Sequence, residues 1–397
     1  MKYAVLGGSF DPIHNGHLHI AKSALNAGYD CVILVPAFQS PFKAEIQKKN
    51  IDFRVDMVLA AIKGDRKITV DLCEIRRGGV SYTVDTIKDI ENRYVPEGKL
   101  GLIIGDDLVS DFLKWKGADE IYKFTDVVVA RRLNNQIQIP FPHKTIQNDI
   151  LRISSAELRD LIKTGGDWSS LTPPSVQNII IKYGLYSDGA ANLQKQKAVE
   201  MLRYGKYGEG DNLDAEELAR TMLDVKRFVH ARTVALHCVA LCRRYGLDEN
   251  KGWLAGMCHD LCKQMPAEEL MGLASLDDDP FSEMETQKPD MLHGRAAAAL
   301  LQTVFKINSS DVIEAVRYHT TGKSGMGGLA KIVYLSDKIE SGREDVDCNL
   351  RRIAFGPPPH PSLDELFAIV LKGTARWFIE RGETLAKETA AMLNEKW

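Results

Sequence analysis

Near the start of the chain stands Tyr3-Ala4-Val5-Leu6-Gly7-Gly8-Ser9-Phe10-Asp11-Pro12-Ile13-His14-Asn15-Gly16-His17, an apolar run that leads into a Gly-Gly turn and a His-x-x-His pair. The apolar run predicts a buried strand, and the spacing over 17–27 predicts the helix that follows it. Glycines at such a junction let backbone N–H groups approach an anion, because no Cβ holds the ligand away. We therefore interpret Gly8, Ser9 and Phe10 as the backbone of a phosphate-binding turn.

Two imidazoles, His14 and His17, open the predicted helix within reach of whatever that backbone holds. Imidazoles can donate hydrogen bonds to the charge that builds on a phosphoryl group during transfer. An ordinary tight turn followed by two partly buried histidines is the alternative, but the strand in front and the helix behind favour the first interpretation. The motif predicts nucleotidyl transfer, with His14 and His17 as catalytic residues.

Length and composition bound the class of protein. The 397 residues exceed one ordinary core, and 44% hydrophobic with 26% charged residues is typical of a soluble protein of two domains. A formal net charge of −3 gives no general basic field for nucleic acid. No apolar run approaches the roughly 20 residues of a membrane helix. We expect a cytoplasmic protein with neither a nucleic-acid nor a membrane partner; the oligomeric state stays open, a homo-oligomer included.

The cysteines predict packing rather than cross-linking. Their number, 7, is odd and they are scattered along the chain, so they form no disulfide framework. Cys238 and Cys242, and again Cys258 and Cys262, lie four residues apart, a spacing that suits either a zinc site or one face of a helix. Small apolar residues on a helix face are the commoner case, and we favour them here.

The pattern of the chain changes near Ser187. Before it, β-branched runs predict strands over 3–6, 31–36, 68–71, 100–104 and 126–130, separated by helical patterns. Such alternation indicates a parallel sheet with helices on both faces and ligands at the carboxyl ends of its strands. Beyond it, helical spacing recurs over 213–245, 251–263, 295–305, 311–318, 329–339 and 363–381. We predict a Rossmann-like α/β domain over 1–187, a linker over 188–210 and an all-α domain over 211–397.

A second motif in the first half is Ile153-Ser154-Ser155-Ala156-Glu157-Leu158-Arg159. Ser154 and Glu157 have the spacing of a capping box, and a capped helix start offers free N–H groups and positive dipole to a triphosphate. Arg159, one turn further on, suits a contact with the β or γ phosphate. Alone, the motif would be an ordinary cap with a solvated arginine. Beside the first motif we interpret Ser155 and Arg159 as ATP-binding residues.

Both motifs and their spacing resemble those of bacterial nicotinate-mononucleotide adenylyltransferases over about 1–186. Other matching segments are 36–43, 53–57, 81–86, 104–108 with Trp115, and 183–186. The resemblance implies attack of the nicotinate mononucleotide phosphate on the α-phosphorus of ATP, with Mg²⁺ and without a covalent enzyme intermediate. It also implies a mononucleotide site. Its residues are Lys43, Tyr82, Thr83, Asp106 and Trp115. Phe42 stands where that family usually has histidine, which leaves the choice between acid and amide substrates open.

In the second half, metal-competent residues follow the order His, His-Asp, His, His, Asp, each on or beside a different predicted helix. They are His230, His259, Asp260, His293, His319 and Asp337. Nitrogen ligands together with a carboxylate able to bridge two cations suit Fe, Mn or a similar divalent ion better than a closed structural zinc site. We expect one metal at His230, His259, Asp260 and Asp337. His293 and His319 then hold a second metal through Asp260 or contact a substrate phosphate.

At His259-Asp260 the chain resembles the HD phosphohydrolases, and over about 213–391 it resembles bacterial HD-domain symmetrical diadenosine-tetraphosphate hydrolases. The matching segments are 226–230, 258–263, 292–294, 317–322 and 337–343. The resemblance implies metal-assisted attack of water on a polyphosphate to give two ADP, with Asp260 catalytic. It also implies phosphate contacts from Arg227, Lys263 and Arg343. Action on another nucleotide and a nucleotide-sensing regulatory module remain as alternatives.

Overall fold

The computed structural model describes residues 1–39, 41, 51–132, 138–186, 207–277, 279–343, 346, 348–382 and 384–394. The chain divides into two compact units, Met1–Ala198 and Val199–Trp397. Most of the predicted linker, 188–206, lies outside the described residues. Within the described part of the chain, no helix combines the length and the apolar character that a membrane crossing requires.

The first unit is built on a parallel sheet of six strands in the order β3-β2-β1-β4-β5-β6. The strands are β1 (Tyr3–Gly8), β2 (Cys31–Pro36), β3 (Ile68–Val70), β4 (Leu100–Gly105), β5 (Thr125–Ala130) and β6 (Lys144–Thr145). The five predicted strands are confirmed. Strand β6 was not predicted, because its two residues are both exposed and carry no apolar pattern.

Burial explains why the strands are continuous apolar runs. All six residues of β2 and all six of β4 are buried, since helices cover both faces of the sheet. The strand order reverses between β1 and β4, whose carboxyl ends lie at Gly8 and Gly105. A crevice opens at such a reversal, and this is where open α/β sheets bind their ligands.

Helices of the first unit connect these strands. They are α1 (Asn15–Asn26), α2 (Ile51–Ala61), α3 (Cys73–Arg77), α4 (Thr83–Tyr94), α5 (Val109–Phe112), α6 (Ala118–Phe124), α7 (Ser155–Thr164) and α8 (Pro174–Lys182). The predicted capping box is present at α7, where Glu157 N–H donates to Ser154 Oγ at 3.2 Å and Ser154 N–H donates to Glu157 Oε2 at 3.1 Å. Helix α1 begins two residues before its predicted start, with His14 as its N-cap.

The described residues of the second unit form helices and connecting loops, with no β-strand among them. Its helices are α9 (Ala215–Met222), α10 (Val225–Tyr245), α11 (Glu249–Cys258), α12 (Ala267–Ala274), α13 (Glu283–Gln287), α14 (His293–Thr303), α15 (Ser310–Tyr318), α16 (Gly328–Ile339), α17 (Cys348–Phe355), α18 (Leu363–Glu380) and α19 (Lys387–Met392). The run predicted over 213–245 is two helices, because Asp224 caps α10 by accepting from Arg227 N–H at 2.9 Å. The helix predicted over 251–263 ends earlier, at Cys258.

Small residues set the spacing of the helices that carry the predicted metal ligands. A Cβ on Gly256 of α11 would lie 2.5 Å from Ala235 Cα of α10, and one on Gly294 of α14 would lie 2.9 Å from the Arg317 carbonyl of α15. Helices that pass this closely accept only glycine at the contact. The two contacts lie within a few residues of the predicted ligands in sequence, and so fix how closely those ligands approach.

Candidate active sites

The crevice of the first unit contains a cavity of about 630 Å³. Predicted site residues that line it are Gly8, Ser9, Phe10, His14, His17, Tyr82, Thr83, Trp115 and Ser155. The phosphate-binding turn, the histidine pair and the predicted ring-binding residues therefore face one space. Its size falls within the range of small-molecule sites.

His14 lies over the first turn of α1. Gly16 makes this possible, because a Cβ there would stand 3.1 Å from the His14 ring. The His14 and His17 ring centroids are 3.8 Å apart. Burial, aided by Arg132, lowers the pKa of His14 to about 3, so the imidazole is neutral near pH 7. Its Nδ1 is buried without a hydrogen-bond partner in the part of the chain that the structure describes, and the His14 residue lines the cavity.

Arg54, on α2, forms a hydrogen bond to the backbone of the phosphate-binding turn. It is fully buried, and its Nη1 donates to the Ser9 carbonyl at 2.7 Å and to the Ala37 carbonyl at 2.8 Å. These two bonds tie the turn after β1 to the end of β2. Arg54 was not among the predicted site residues, although an arginine within the mainly apolar stretch 53–60 is a visible signal in the sequence.

Two predicted substrate contacts, Arg159 and Asp106, are not among the residues that line this cavity. Arg159 Nη1 donates to the Asp11 carbonyl at 2.6 Å, and Arg159 lines a separate small cavity with Tyr186. Asp106 is 7% exposed, and its Oδ1 accepts from Arg132 N–H at 2.8 Å. Lys43, like Phe42, lies outside the described residues. The substrate contacts assigned to Arg159, Asp106 and Lys43 stay predictions.

Basic side chains that the sequence analysis did not select also line the cavity. They are Lys114, Lys116, Arg131 and Arg132. Lys116 Nζ lies 4.2 Å from the centroid of the Tyr82 ring. Arg131 and Arg132 directly follow β5, so their place at the carboxyl edge of the sheet could have been inferred from the strand prediction. Their charge suits a substrate rich in phosphate.

The second unit gathers the predicted metal ligands into one buried centre. His259, Asp260, His293, His319 and Asp337 are each at most 6% exposed. Two overlapping groups have ligand atoms within 4.8 Å of one another. They are His230, His259 and Asp260, and Asp260, His293 and His319. Asp260 belongs to both groups.

The first group has the spacing of ligands around a single ion. His230 Nε2 lies 3.2 Å from His259 Nε2 and 3.3 Å from Asp337 Oδ1. Asp260 Oδ2 lies 3.9 Å from each of the two Nε2 atoms. Ligands bound at about 2.1 Å to one ion stand roughly 3 to 4 Å apart, so these distances fit a shared divalent cation.

The second group uses the other oxygen of Asp260. Asp260 Oδ1 lies 3.1 Å from His293 Nε2 and 3.6 Å from His319 Nε2. The two Nε2 atoms of His293 and His319 are 3.0 Å apart. Asp260 thus presents one oxygen to each group, which is the geometry that a carboxylate bridging two cations requires.

Hydrogen bonds on the far side of each ring decide which nitrogen can bind a cation. Each Nδ1 faces an acceptor oxygen, and a proton held there directs the Nε2 atom of the ring toward the other ligands. The acceptors are Gly256 O for His259, Asp290 O for His293, Val316 O for His319 and Glu340 Oε1 for His230, at 2.7, 2.6, 2.7 and 3.1 Å. Two ring nitrogens about 3 Å apart share either a proton or a metal cation. Asp337 and Glu340 outweigh burial and raise the pKa of His230 to about 10, so a divalent cation bound at its Nε2 would replace a proton there. The residues present therefore fit divalent metal.

Electrostatics also favour a cation. Burial lowers the pKa of His259 to about 3, so its ring is neutral. Burial alone would raise the pKa of Asp337, but Lys338 and Arg343 outweigh it and hold that pKa well below its usual range. A neutral imidazole beside an ionised carboxylate is the protonation state in which both groups bind metal.

Basic side chains surround the same centre. Arg227 Nη1 lies 3.5 Å from Asp260 Oδ2, Arg343 Nη2 lies 2.9 Å from Asp337 Oδ1, and Lys263 Nζ lies 3.2 Å from His293 Nδ1. Two further polar residues were not predicted. Lys338 Nζ lies 3.0 Å from Asp337 Oδ2, and Thr320 Oγ1 lies 3.0 Å from His319 Nε2. Cations beside a metal site suit an anionic substrate.

Comparison with known proteins separates the chain in the same way. The family described as Cytidylyltransferase-like matches residues 5–161, and the HD domain family matches residues 227–342. The first unit therefore contains a cytidylyltransferase-like domain of parallel α/β architecture, and the second contains an HD domain.

Curated relatives define the family of the first half. A "Probable nicotinate-nucleotide adenylyltransferase" of Treponema pallidum (strain Nichols) is 38% identical over 202 residues, which cover 47% of this chain and 99% of the relative. The protein of the same name from Clostridium tetani is 40% identical over 200 residues, covering 47% of this chain and 98% of its own. The chain belongs, through its N-terminal half, to the nicotinate-nucleotide adenylyltransferase family.

Among solved structures, a "predicted HD superfamily hydrolase involved in NAD metabolism" from Clostridium acetobutylicum is 29% identical, with a TM-score of 0.42. The match covers 45% of this chain and 93% of that protein.

Proposed function

We propose that the N-terminal domain transfers the adenylyl group of ATP to nicotinate mononucleotide, which gives nicotinate adenine dinucleotide and pyrophosphate. The relatives' names supply the reaction. The observation that carries it is one cavity lined by the glycine turn, the histidine pair, and Tyr82 with Trp115. An indole face suits stacking on a pyridine ring, and the turn's N–H groups suit phosphate oxygens.

In this reaction a phosphate oxygen of the mononucleotide attacks the α-phosphorus of ATP as the bond to pyrophosphate breaks. His14, held neutral by its burial, acts as a hydrogen-bond donor and not as a cation. Positive charge near the phosphates comes instead from side chains such as Arg132. Mg²⁺ that accompanies ATP would neutralise further phosphate charge. Two carboxylates that line the cavity, Asp107 and Asp111, lie in ion pairs with Arg132 and Lys114.

The histidine pair is tested by His17→Ala, with His143→Ala as the matched control. His143 is exposed and does not line the cavity. We expect the first variant to lose about 10² or more in turnover of nicotinate mononucleotide with ATP while the protein stays folded, and the control to keep its rate. Near-normal turnover of His17→Ala would remove the role given to His17.

We propose that the HD domain hydrolyses diadenosine tetraphosphate to two ADP, with Fe or another divalent transition metal at one or two positions. The HD domain match, the paired ligand groups that share Asp260 and the basic side chains around them support this function. Water adds at the central bridge of the tetraphosphate, the P–O bond there breaks, and each half leaves as ADP. A bound divalent ion supplies Lewis-acid activation of water and of the phosphoryl oxygens.

The chain's own groups would hold the substrate in that reaction. Arg227 and Arg343 lie beside the ligand carboxylates and Lys263 lies beside the His293 ring, and all three are suited to contact phosphate oxygens. Their positive charges stabilise the negative charge that builds up on the leaving ADP. We propose 1–187 and 211–397 as the two functional domains, joined by the linker 188–210.

Asp260→Ala is the sharpest test of the second site, because it removes the residue common to both ligand groups. We expect it to lose bound metal and diadenosine-tetraphosphate hydrolysis together, while adenylyl transfer by the same purified chain continues as an internal control. Metal content and the rates of both reactions are measured on one preparation. Hydrolysis that continued without metal would refute the assignment, and cleavage of mononucleotides only would favour a different nucleotide substrate.

A further inference from the structure

One ligand histidine of the HD centre is oriented differently from the other three. His259, His293 and His319 each direct Nδ1 at the backbone carbonyl three residues earlier. His230 directs its Nδ1 at a carboxylate, Glu340 Oε1, which lies 3.1 Å away and 110 residues further along the chain. A charged acceptor polarises an imidazole more strongly than a carbonyl does.

The Glu340 carboxylate is held in place on both of its oxygens. Glu340 is 4% exposed, and its second oxygen accepts from Gly342 N–H. A Cβ at position 342 would stand 2.7 Å from Glu340 Oε1 and 3.0 Å from Oε2. Glycine at this position therefore allows the carboxylate to fold back over its own loop while it contacts His230.

Buried Arg351 fixes the backbone that carries Glu340. Its Nε donates to the Ile339 carbonyl at 3.1 Å, and its Nη2 donates to the Glu340 carbonyl at 2.8 Å and to the Arg343 carbonyl. Because Arg351 is only 2% exposed, these bonds are buried and hold the segment 339–343 in place. A carboxylate on such a support can define the orientation of a ring on another helix.

We propose that Glu340 is the positioning residue of the HD metal centre: it keeps the proton of His230 on Nδ1 and directs Nε2 at the cation that His259 and Asp337 share. This inference rests on the metal-dependent function proposed above. Glu340 binds neither substrate nor metal in this scheme. Losses of this kind of support weaken metal affinity by about 10- to 100-fold.

The test measures Mn²⁺ binding by calorimetry on the full chain after chelator treatment, without nucleotide. We expect Glu340→Ala to bind Mn²⁺ about 10- to 100-fold more weakly than the wild type. Glu340→Gln should fall between them, since its one amide oxygen still accepts from His230 but carries no charge. Any Mn²⁺ binding that persists in Asp260→Ala comes from sites elsewhere in the chain. A shifted visible spectrum of the Co²⁺ protein would mark a changed ligand geometry.

Glu216→Gln is the matched control. Glu216 is a buried carboxylate of the same unit, 6% exposed, and its ion pair is with Arg232 at 3.1 Å. It should keep wild-type Mn²⁺ affinity. Mn²⁺ affinity of Glu340→Ala within twofold of the wild type would overturn the proposal; if that variant does not fold, unchanged affinity of Glu340→Gln would do so. A wild-type chain that binds no Mn²⁺ would instead refute the metal-dependent function itself.

Discussion

Gly256→Ala should disturb the metal centre from a position that contacts no metal. The added Cβ would lie 2.5 Å from Ala235 Cα, about 0.9 Å short of ordinary contact, and the atoms it meets are backbone that cannot rotate away. Overpacking of this kind costs about 1 to 3 kcal/mol. Replacing glycine by alanine inside a helix returns about 1 kcal/mol. The net loss of stability should therefore be about 0 to 2 kcal/mol.

Metal binding should be weakened together with stability. Separation of α10 from α11 moves His259 away from His230. The Nε2 atoms of these two rings lie 3.2 Å apart. Ligands displaced by a large part of an ångström no longer match one ion, so we expect Mn²⁺ affinity to fall by about tenfold or more. The Gly256 carbonyl also accepts from His259 Nδ1, so any shift of α11 carries the ring with it.

Calorimetry of the full chain measures both the Mn²⁺ affinity and the stability of the HD domain. The transition of the HD domain is the one whose unfolding temperature Mn²⁺ raises. Gly272→Ala is the matched control: Gly272 lies inside α12, and a Cβ there would meet nothing within 4 Å. The control should be as stable as the wild type or slightly more stable, with unchanged Mn²⁺ affinity. If Gly256→Ala behaved like Gly272→Ala in both measurements, close helix packing would not be what positions these ligands.

Two further predictions concern the first unit. Arg54→Met removes both hydrogen bonds that tie the glycine turn to β2, and we expect the KM for ATP to rise by about tenfold, because the loose turn no longer presents its N–H groups; steady-state kinetics with an unchanged KM would contradict this. His14 has a folded-state pKa of about 3 against an ordinary 6.5, so it binds its proton more readily when unfolded. Its contribution to stability is complete above pH 6.5 and is lost as the pH falls from 6.5 toward 3. The melting temperature should therefore fall less steeply across this pH range for His14→Gln than for the wild type. Equal slopes for the two proteins would argue against a neutral buried His14.

The sequence predicted the sheet well because the strands are buried on both faces. A strand such as β2, with all six residues buried, is an uninterrupted apolar run in the sequence. Strand β6 has two exposed residues and no such pattern. Helix ends were predicted less well, because they depend on single contacts. Asp224 interrupts an apolar pattern that would otherwise continue, and only its bond to Arg227 N–H shows that a new helix begins there.

The site residues divide along the same line. Ligand types in the order His, His-Asp, His, His, Asp could be recognised from the sequence, because metal chemistry restricts the residue types. Their supports could not, since Glu340 reaches His230 across 110 residues and no spacing rule joins the two. Arg159 shows the converse, because the cap at Ser154 was predicted correctly, but the contact of Arg159 with the Asp11 carbonyl depends on tertiary structure.

The charges of the HD centre explain why its acidic residues should tolerate change so poorly. Two buried carboxylates of the centre each face a cationic side chain: Asp260 faces Arg227, and Asp337 faces Arg343. Buried charge is tolerated only in such pairs, and removal of one member leaves the other uncompensated. A carboxylate changed to its amide therefore acts twice, by weakening a cation site and by stranding a basic side chain. Added metal cannot restore the second loss, so the affinity of such a variant for Mn²⁺ and its stability at saturating Mn²⁺ should fall together.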